Sequence, residues 1–237
     1  MKTILKNKVL IVLIFILSLF VVGCGEKQPS GSKSNYNEAN YTLYGQPTLE
    51  KNLTLEELKS ALDEASNYLA TVKSYSYTQT ITGTYDTTYN YQGVTKIDAT
   101  GETPMASIEL TGTNTFACYI ANNKVYYNYD GYKFVTELGT DSSNIIAETS
   151  ATVGAFTQFD SASITSENLV YAGVDKDQTT IIKYNIEDGA FVIIVISEAK
   201  IMKVMYSGVE GEEYIANYDY NKVTVVLPSD LSDYETE

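Results

Sequence analysis

The chain has 237 residues, 30 acidic side chains against 16 lysines, no arginine, and a formal net charge of −14. This length suits a single domain with one sizeable core. The acidity and the lack of arginine argue against the phosphate contacts by which proteins bind nucleic acid. The chain also lacks histidine, which excludes Ser-His-Asp and Cys-His catalytic devices and zinc sites built on histidine. We therefore expect no enzyme activity, no catalytic residues, no cofactor, no metal and no nucleic-acid partner.

The amino-terminal segment has the pattern of an export signal. Lys2, Lys6 and Lys8 precede an apolar run of 14 residues, Val9–Val22, broken only by Ser18. A helix of that length is about 21 Å long and falls short of the ~30 Å hydrocarbon core of a bilayer. A basic start and a short apolar core are typical of a cleaved signal peptide, which we assign to residues 1–23.

The sequence after this run indicates how the mature chain is held. Val21-Val22-Gly23-Cys24 resembles the lipobox of bacterial lipoproteins. That resemblance implies that cleavage leaves Cys24 as the first residue and that its thiol carries a diacylglycerol. We expect the protein to be anchored in the lipid bilayer, on the extracytoplasmic face of the bacterial cell membrane.

The segment that follows is predicted to be a tether. Residues 25–52 are rich in Gly, Ser, Asn and Gln and contain few large aliphatic side chains. Such a composition favours a flexible linker. Residues 24–52 are therefore interpreted as the acylated amino terminus and its tether, and residues 53–234 as a single domain.

One amphipathic helix opens this domain. Thr54-Leu-Glu-Glu57 is a capping-box pattern, in which the threonine oxygen accepts from the backbone three residues on and the glutamate reaches back. The apolar residues that follow recur at steps of three and four, and Val72 is the last of them. This spacing predicts a helix that ends near Lys73 and lies with one face on a sheet.

From Ser74 onward the apolar period changes to two, which predicts antiparallel strands joined by short turns. Gly93 is interpreted as a bulge. Phe191–Ile196 has no polar alternation, which is typical of a central strand covered on both faces. Residues 139–166 break the rhythm and favour one or two short helices. The predicted strands cover residues 75–85, 89–97, 105–110, 116–120, 125–129, 132–135, 169–174, 179–186, 191–196, 201–206, 213–218 and 223–227.

These elements predict an α+β, mainly β fold. A sheet of 10–12 strands at ~4.8 Å spacing is about 50 Å wide, whereas one helix is ~10 Å across. A strongly curved antiparallel half-barrel wrapped around the helix, with a short helical or loop lid, resolves this difference and leaves an apolar hollow. A lipid or other hydrophobic ligand would fit such a cavity. The residues expected to line the cavity or its lid are Leu58, Leu62, Leu69, Ile81, Ile108, Leu110, Phe116, Ile120, Ile145, Ile146 and Phe156.

A resemblance to a known group supports this interpretation. The order is lipobox, polar tether and capped helix, followed by Val72–Tyr77, Ile120–Tyr127 and the closing Tyr218–Pro228. The chain is similar to cell-surface lipoproteins of Gram-positive bacteria related to the LolA-like and LppX-like carriers of lipids and lipoproteins. The resemblance implies a half-barrel with a helix in its mouth and a cavity for acyl chains. This chain departs from soluble carriers because it keeps its own anchor.

Two features leave other functions open. The 21 tyrosines are typical of strands and of large amphipathic core side chains, but a tyrosine-rich surface would also suit a protein partner or cell-wall glycan. The alternative function is therefore a structural or interaction lipoprotein. Ser197-Glu-Ala-Lys200 matches a short hydrolase pattern, yet it falls in a predicted hairpin.

Cys118, on the same strand face as Phe116 and Ile120, is interpreted as a small buried hydrophobe. The acidity favours a monomer.

Overall fold

The computed structural model describes residues 36–85, 87–137, 160–187 and 189–236. The predicted signal peptide, Cys24, Ile145, Ile146 and Phe156 lie outside these ranges. Among the described helices, none combines the length and the apolar character needed to cross a bilayer.

The described residues form one α-helix and thirteen strands of a single sheet. Helix α1 spans Leu55–Thr71. The strands are β1 Lys51–Asn52, β2 Ser74–Tyr85, β3 Thr87–Asp98, β4 Met105–Gly112, β5 Phe116–Ala121, β6 Lys124–Tyr129, β7 Tyr132–Glu137, β8 Leu169–Val174, β9 Thr180–Glu187, β10 Ala190–Ser197, β11 Lys200–Ser207, β12 Glu213–Asp219 and β13 Glu235–Thr236.

The sheet is large, curved and not closed, and its strand order is β1-β8-β9-β10-β11-β12-β2-β3-β4-β5-β6-β7-β13. All neighbouring strands run antiparallel except β7 and β13, which pair in parallel. The predicted mainly β half-barrel with one helix is therefore confirmed. The structure adds two strands of two residues each at the edges, which are too short to produce a periodic pattern.

Helix α1 begins and packs as its sequence predicts. Thr54 Oγ1 accepts a hydrogen bond from Glu57 N, and a Glu57 carboxylate oxygen accepts one from Thr54 N, so both halves of the capping box are present. One stripe of the helix is buried, at Leu58, Leu62, Ala65 and Leu69. This stripe packs against β10, β11 and a short 3-10 helix at Ser161–Ser163.

Strand β10 is covered on both faces, as its uninterrupted apolar run predicts. Val192 and Ile194 belong to the inner core with α1, whereas Ile193 and Val195 belong to a second apolar cluster on the outer face. Residues 36–49 cover this outer cluster, and Tyr41 and Leu43 are the most deeply buried members of that covering segment. We call residues 36–49 the N-terminal strap.

The strap corrects the predicted tether at its carboxyl end. Residues 36–49 lie on the outer face of the sheet, and Lys51–Asn52 pair with β8 as strand β1. The tether prediction relied on a polar composition, but Tyr41 and Leu43 are placed so that both reach the same apolar patch. The remaining part of the predicted tether, residues 24–35, lies outside the described residues.

The last predicted strand is also corrected. Residues 222–228 adopt no regular secondary structure, although Val225 is buried. The Val223 amide donates to Ser74 Oγ, a side chain, and so leaves the backbone ladder at this point. The chain then continues to β13, which pairs with the edge strand β7. The alternating apolar residues of this segment contact the sheet, but the segment does not pair with it as a strand.

Candidate ligand-binding face of the sheet

Part of the inner face of the sheet is an apolar wall built from alternate residues of β4 and β5. The antiparallel register pairs Ile108 with Cys118 and Leu110 with Phe116 across β4 and β5. Side chains of paired residues lie on the same face, so these four form one continuous surface. Helix α1 packs chiefly on β10 and β11, in the other half of the sheet. The apolar wall and the helix therefore face the same interior from different sides.

The structure brings the predicted lining residues together wherever it describes them. Leu58, Leu62, Leu69, Ile108, Leu110 and Ile120 all belong to one buried cluster, and Ile81 and Phe116 pack against it. Ile145, Ile146 and Phe156 lie outside the described residues. The predicted lining positions are thus neighbours in space, although three strands, β2 to β4, separate Leu58 from the strand that contains Ile120.

Among the described residues, these side chains pack against one another and do not line a large cavity. Leu58, Leu62 and Ile108 are 0 % exposed. A cavity of about 50 Å³ lies on the outer face, between the strap and Ile181, Ile193 and Met205. A wide, solvent-open concavity of about 910 Å³ follows the polar side of α1, along Leu55, Lys59 and Asp63. A ligand would reach the inner face only if α1 and the sheet moved apart.

A row of polar side chains crosses this apolar interior. Tyr75, Tyr77 and Gln79 are successive inward-facing residues of β2, which is the seventh of the thirteen strands in sheet order. All three are at most 2 % exposed. The Gln79 side-chain amide donates to Thr95 Oγ1 over 3.1 Å. We call these three residues the polar row.

The sequence carries a signal for the polar row, although the predicted lining residues include none of its members. A period of two that places Tyr75 and Tyr77 inward must also place Gln79 inward. A glutamine at an inward position of a central strand is uncommon, because burying its amide costs free energy unless both ends are hydrogen-bonded.

The inner tyrosines form a buried cluster with strongly altered acidity. Tyr77 packs on Tyr218 with ring centroids 5.1 Å apart, and Tyr75 packs on both Tyr218 and Tyr220. Burial raises the pKa of Tyr75, Tyr77, Tyr214 and Tyr218, because the tyrosinate anion loses its hydration there. These hydroxyl groups therefore stay neutral.

Cys118 lies in the same wall as a free thiol that is 0 % exposed. Burial raises the pKa of this thiol well above its usual value, so the reactive thiolate form is suppressed. This placement confirms the prediction of a small buried hydrophobe.

Polar contacts hold the strap on the opposite face. Lys203 Nζ donates to Tyr41 O at 2.7 Å and to Glu38 O at 3.3 Å, and its side chain is 7 % exposed. Burial lowers the pKa of Lys203, with the charge of Glu38 acting in the opposite direction. The Tyr41 hydroxyl donates to Asp175 Oδ2 at 2.6 Å. Burial, together with this bond to Asp175, raises the pKa of Tyr41 to about 12.

Asp175 also shapes the turn between β8 and β9. Its other carboxylate oxygen accepts from the amides of Asp177 and Thr179. The carboxylate therefore closes the β8–β9 turn and holds the strap through Tyr41.

Comparisons with known proteins found partial similarity to solved structures. No family model matches the chain, and no curated protein matches it. A LolA superfamily protein from Nitrosomonas europaea is similar with a TM-score of 0.33 and 11% identity, over 73% of this chain and 96% of that protein. A DUF1329 family protein from Desulfovibrio piger is similar with a TM-score of 0.30 and 9% identity, over 73% and 95%.

Proposed function

We propose that this protein is a lipid-anchored, extracytoplasmic bacterial protein without enzyme activity that binds a hydrophobic ligand at the inner face of its curved sheet. The observation that carries this proposal is the apolar wall of β4 and β5. Ile108, Leu110, Phe116 and Ile120 present a continuous apolar surface to the interior, while α1 packs mainly on β10 and β11. The resemblance of its sequence to LolA-like lipid carriers agrees with this function.

The way α1 is held is compatible with ligand entry. Its contacts with the sheet are made by apolar side chains, Leu58, Leu62, Ala65 and Leu69. Apolar contacts are not directional, so an acyl chain replaces them with little loss of specific bonding. At about 25 Å, a helix of this length matches the length of a long acyl chain. We therefore expect the ligand to bind between α1 and the apolar wall.

The alternative, an interaction protein with a tyrosine-rich surface, has narrower support. Tyr44 and Tyr132 are more than half exposed. They lie on different parts of the fold, since Tyr44 contacts Phe191 of β10 and Tyr132 contacts Phe134 of β7. Tyr75 and Tyr77 of β2 and Tyr214 and Tyr218 of β12 are buried instead.

Binding can be tested with 1,6-diphenyl-1,3,5-hexatriene, an uncharged probe that fluoresces in apolar surroundings. The proposal predicts saturable binding to the purified protein. Leu110→Phe narrows the space beside the apolar wall and should weaken binding, whereas Ile186→Phe alters an exposed side chain and should not. Lack of saturable fluorescence, or equal binding by both variants and the original chain, would contradict the proposal.

The anchor is tested independently of the ligand. Cells that express the protein and are fed tritiated palmitate should incorporate label, and Cys24→Ala should abolish it. Cys118→Ala is the matched control, because it removes the other cysteine of the chain, which is buried. Label retained in the Cys24→Ala variant would show that the lipobox assignment is wrong.

A further inference from the structure

The polar row carries an inference about the chemistry of the ligand. Tyr75, Tyr77 and Gln79 lie on the central strand of a curved sheet, so they occupy the floor of its concave side. Their neighbours in the buried cluster include Ile97, Ile108 and Leu110, which offer no hydrogen bonds. The floor of the apolar face is therefore polar.

Three atoms of this row lack a hydrogen-bond partner among the described residues. These atoms are the Tyr75 and Tyr77 hydroxyl oxygens and Gln79 Oε1, each fully shielded from solvent. The Gln79 amide nitrogen is satisfied by Thr95, so its carbonyl oxygen is the end left unpaired. Buried polar atoms of this kind destabilise a fold and are rare in native proteins, so each one needs an explanation, which a polar group of a bound ligand would supply here.

The immediate neighbours of Gln79 leave it accessible from within the interior. Its cross-strand partners are Ala216 on β12 and Gly93 on β3, which carry the smallest side chains. The Leu110 side chain leans over Gly93. A movement of Leu110 and α1 would therefore bring Gln79 Oε1 into contact with a bound molecule.

The charge of this interior limits what such a molecule is. All described members of the inner cluster are uncharged, and the buried Lys203 and Asp175 bind the strap on the outer face. An ionised group placed at the floor would have no counter-charge and would lose its hydration. The part of a ligand that reaches Gln79 must be neutral.

We propose that the polar row recognises a hydroxyl or amide donor within an otherwise apolar, uncharged chain. The donor binds Gln79 Oε1, which can only accept, and the Tyr75 hydroxyl binds an oxygen of the same ligand. This inference rests on the proposed function, because it names the ligand class for the same face. Chains that carry such a donor therefore bind more tightly than simple hydrocarbons, and carriers of a buried carboxylate are excluded from that class.

The test compares two isomeric probes that differ in one hydrogen-bond donor, 1-decanol and methyl nonyl ether, each tritium-labelled. Equilibrium binding to the full-length protein is measured at a fixed detergent concentration, with protein-free micelles subtracted. One hydrogen bond to a buried acceptor should favour decanol over the ether by about five-fold.

Two variants locate this preference. Gln79→Leu should bring the decanol-to-ether ratio to about one while the ether still binds, because the apolar wall is intact. Tyr75→Phe removes one hydroxyl and keeps the ring, so it should retain most of the preference for decanol and unfold at no lower temperature than the original chain. Gln92→Leu on β3 is the matched control and should leave the five-fold preference unchanged, because Gln92 is exposed.

The possible results separate the two proposals. Equal binding of both probes to the original chain, or an unchanged preference in Gln79→Leu, would overturn the role of the polar row and leave a hydrophobic site in place. Failure of both probes to bind would overturn that site as well, and with it the proposed function.

Discussion

Gly93 shows how a single residue fixes the geometry of the inner face. The sequence analysis interpreted it as a bulge, but this is wrong: the register runs without a shift from β2 through Gly93 to β4. The glycine is needed for a different reason. A Cβ atom at this position would lie 1.9 Å from the carbonyl oxygen of Glu109, because the backbone of β4 approaches β3 closely here.

Replacing Gly93 by alanine should therefore force β3 and β4 apart. We expect Gly93→Ala to lower the free energy of unfolding by about 3 kcal/mol, at the upper end of the usual cost of overpacking. Urea denaturation followed by circular dichroism measures this change. Gly101→Ala is the control, because its Cβ would meet no atom closer than 4.0 Å. Similar stabilities for both variants would show that the approach of β4 does not require the glycine.

Individual residues also show which parts of the site a sequence reveals. The burial of Cys118 and the inward position of Ile108 and Ile120 follow from the period of two alone. The unpaired state of Gln79 does not, because it depends on Thr95, Ala216 and Gly93 from two other strands. Hydrogen-bond accounting needs the register, and the register is a property of the folded sheet.

At the scale of elements, the N-terminal strap is the main departure from expectation. It was predicted to be a tether because its composition is polar, yet it packs Tyr41 and Leu43 onto the outer face. Two aromatic contacts extend this packing, Tyr36 on Tyr41 and Tyr44 against Phe191. Composition averages over a segment, whereas docking here depends on a few side chains and on one buried lysine.

Lys203 should be the residue on which strap docking depends most. Lys203→Met keeps an apolar stem and removes the donor to the carbonyl oxygens of Glu38 and Tyr41. Hydrogen bonds from a charged group contribute about 1.5–3 kcal/mol, so amide hydrogen exchange in residues 36–47 should accelerate about ten-fold or more. Exchange in α1, on the other face of the sheet, should not change.

Lys222→Met provides the control for this experiment, since Lys222 is exposed and near the other terminus of the chain. Unchanged protection of the strap in Lys203→Met would mean that apolar packing alone holds it.

The buried lysine also makes stability depend on pH. Its pKa is lowered in the folded state, so the unfolded chain binds more protons and this residue's contribution to stability rises with pH up to about 10.5.

At the scale of the whole molecule, the buried tyrosines should make the fold sensitive to alkali. The pKa values of Tyr75, Tyr77, Tyr214 and Tyr218 are raised by burial. Each contributes stability that is complete below pH ~10 and is lost as pH rises toward the folded-state pKa, because the unfolded chain ionises first. The loss of stability is about 1.4 kcal/mol per pH unit for each tyrosine. The four tyrosines together therefore lose about 5 kcal/mol per pH unit.

Most domains are stable by about 5–15 kcal/mol, so we expect cooperative unfolding between about pH 10.5 and 12. The stability that Lys203 gains as pH rises comes from one residue and is smaller than the loss from the four tyrosines. Tyrosinate absorbance near 295 nm and far-ultraviolet circular dichroism should change together. Gradual titration of the tyrosines around pH 10 at constant circular dichroism would contradict this prediction. It would mean that solvent reaches the inner tyrosines and that the interior is not packed.

The general architecture was predictable because it depends on local patterns. The capping box, the apolar stripe of α1 and the double covering of β10 can each be deduced from fewer than twenty consecutive residues. The edge strands β1 and β13 could not be deduced, because two residues carry no period and their pairing partners are distant in sequence. The sequence also does not reveal how completely Leu58, Leu62 and Ile108 fill the interior, because their packing depends on every element that surrounds them.

The central claim is that the inner face of the sheet accepts a hydrophobic ligand. Its most direct test is native mass spectrometry of the full-length protein isolated from bacterial membranes, compared with the same sample after denaturation. The account predicts one apolar, uncharged molecule per chain that stays bound in the native spectrum and separates on unfolding. A native mass equal to that of the acylated chain alone, in samples that still contain membrane lipid, would contradict it.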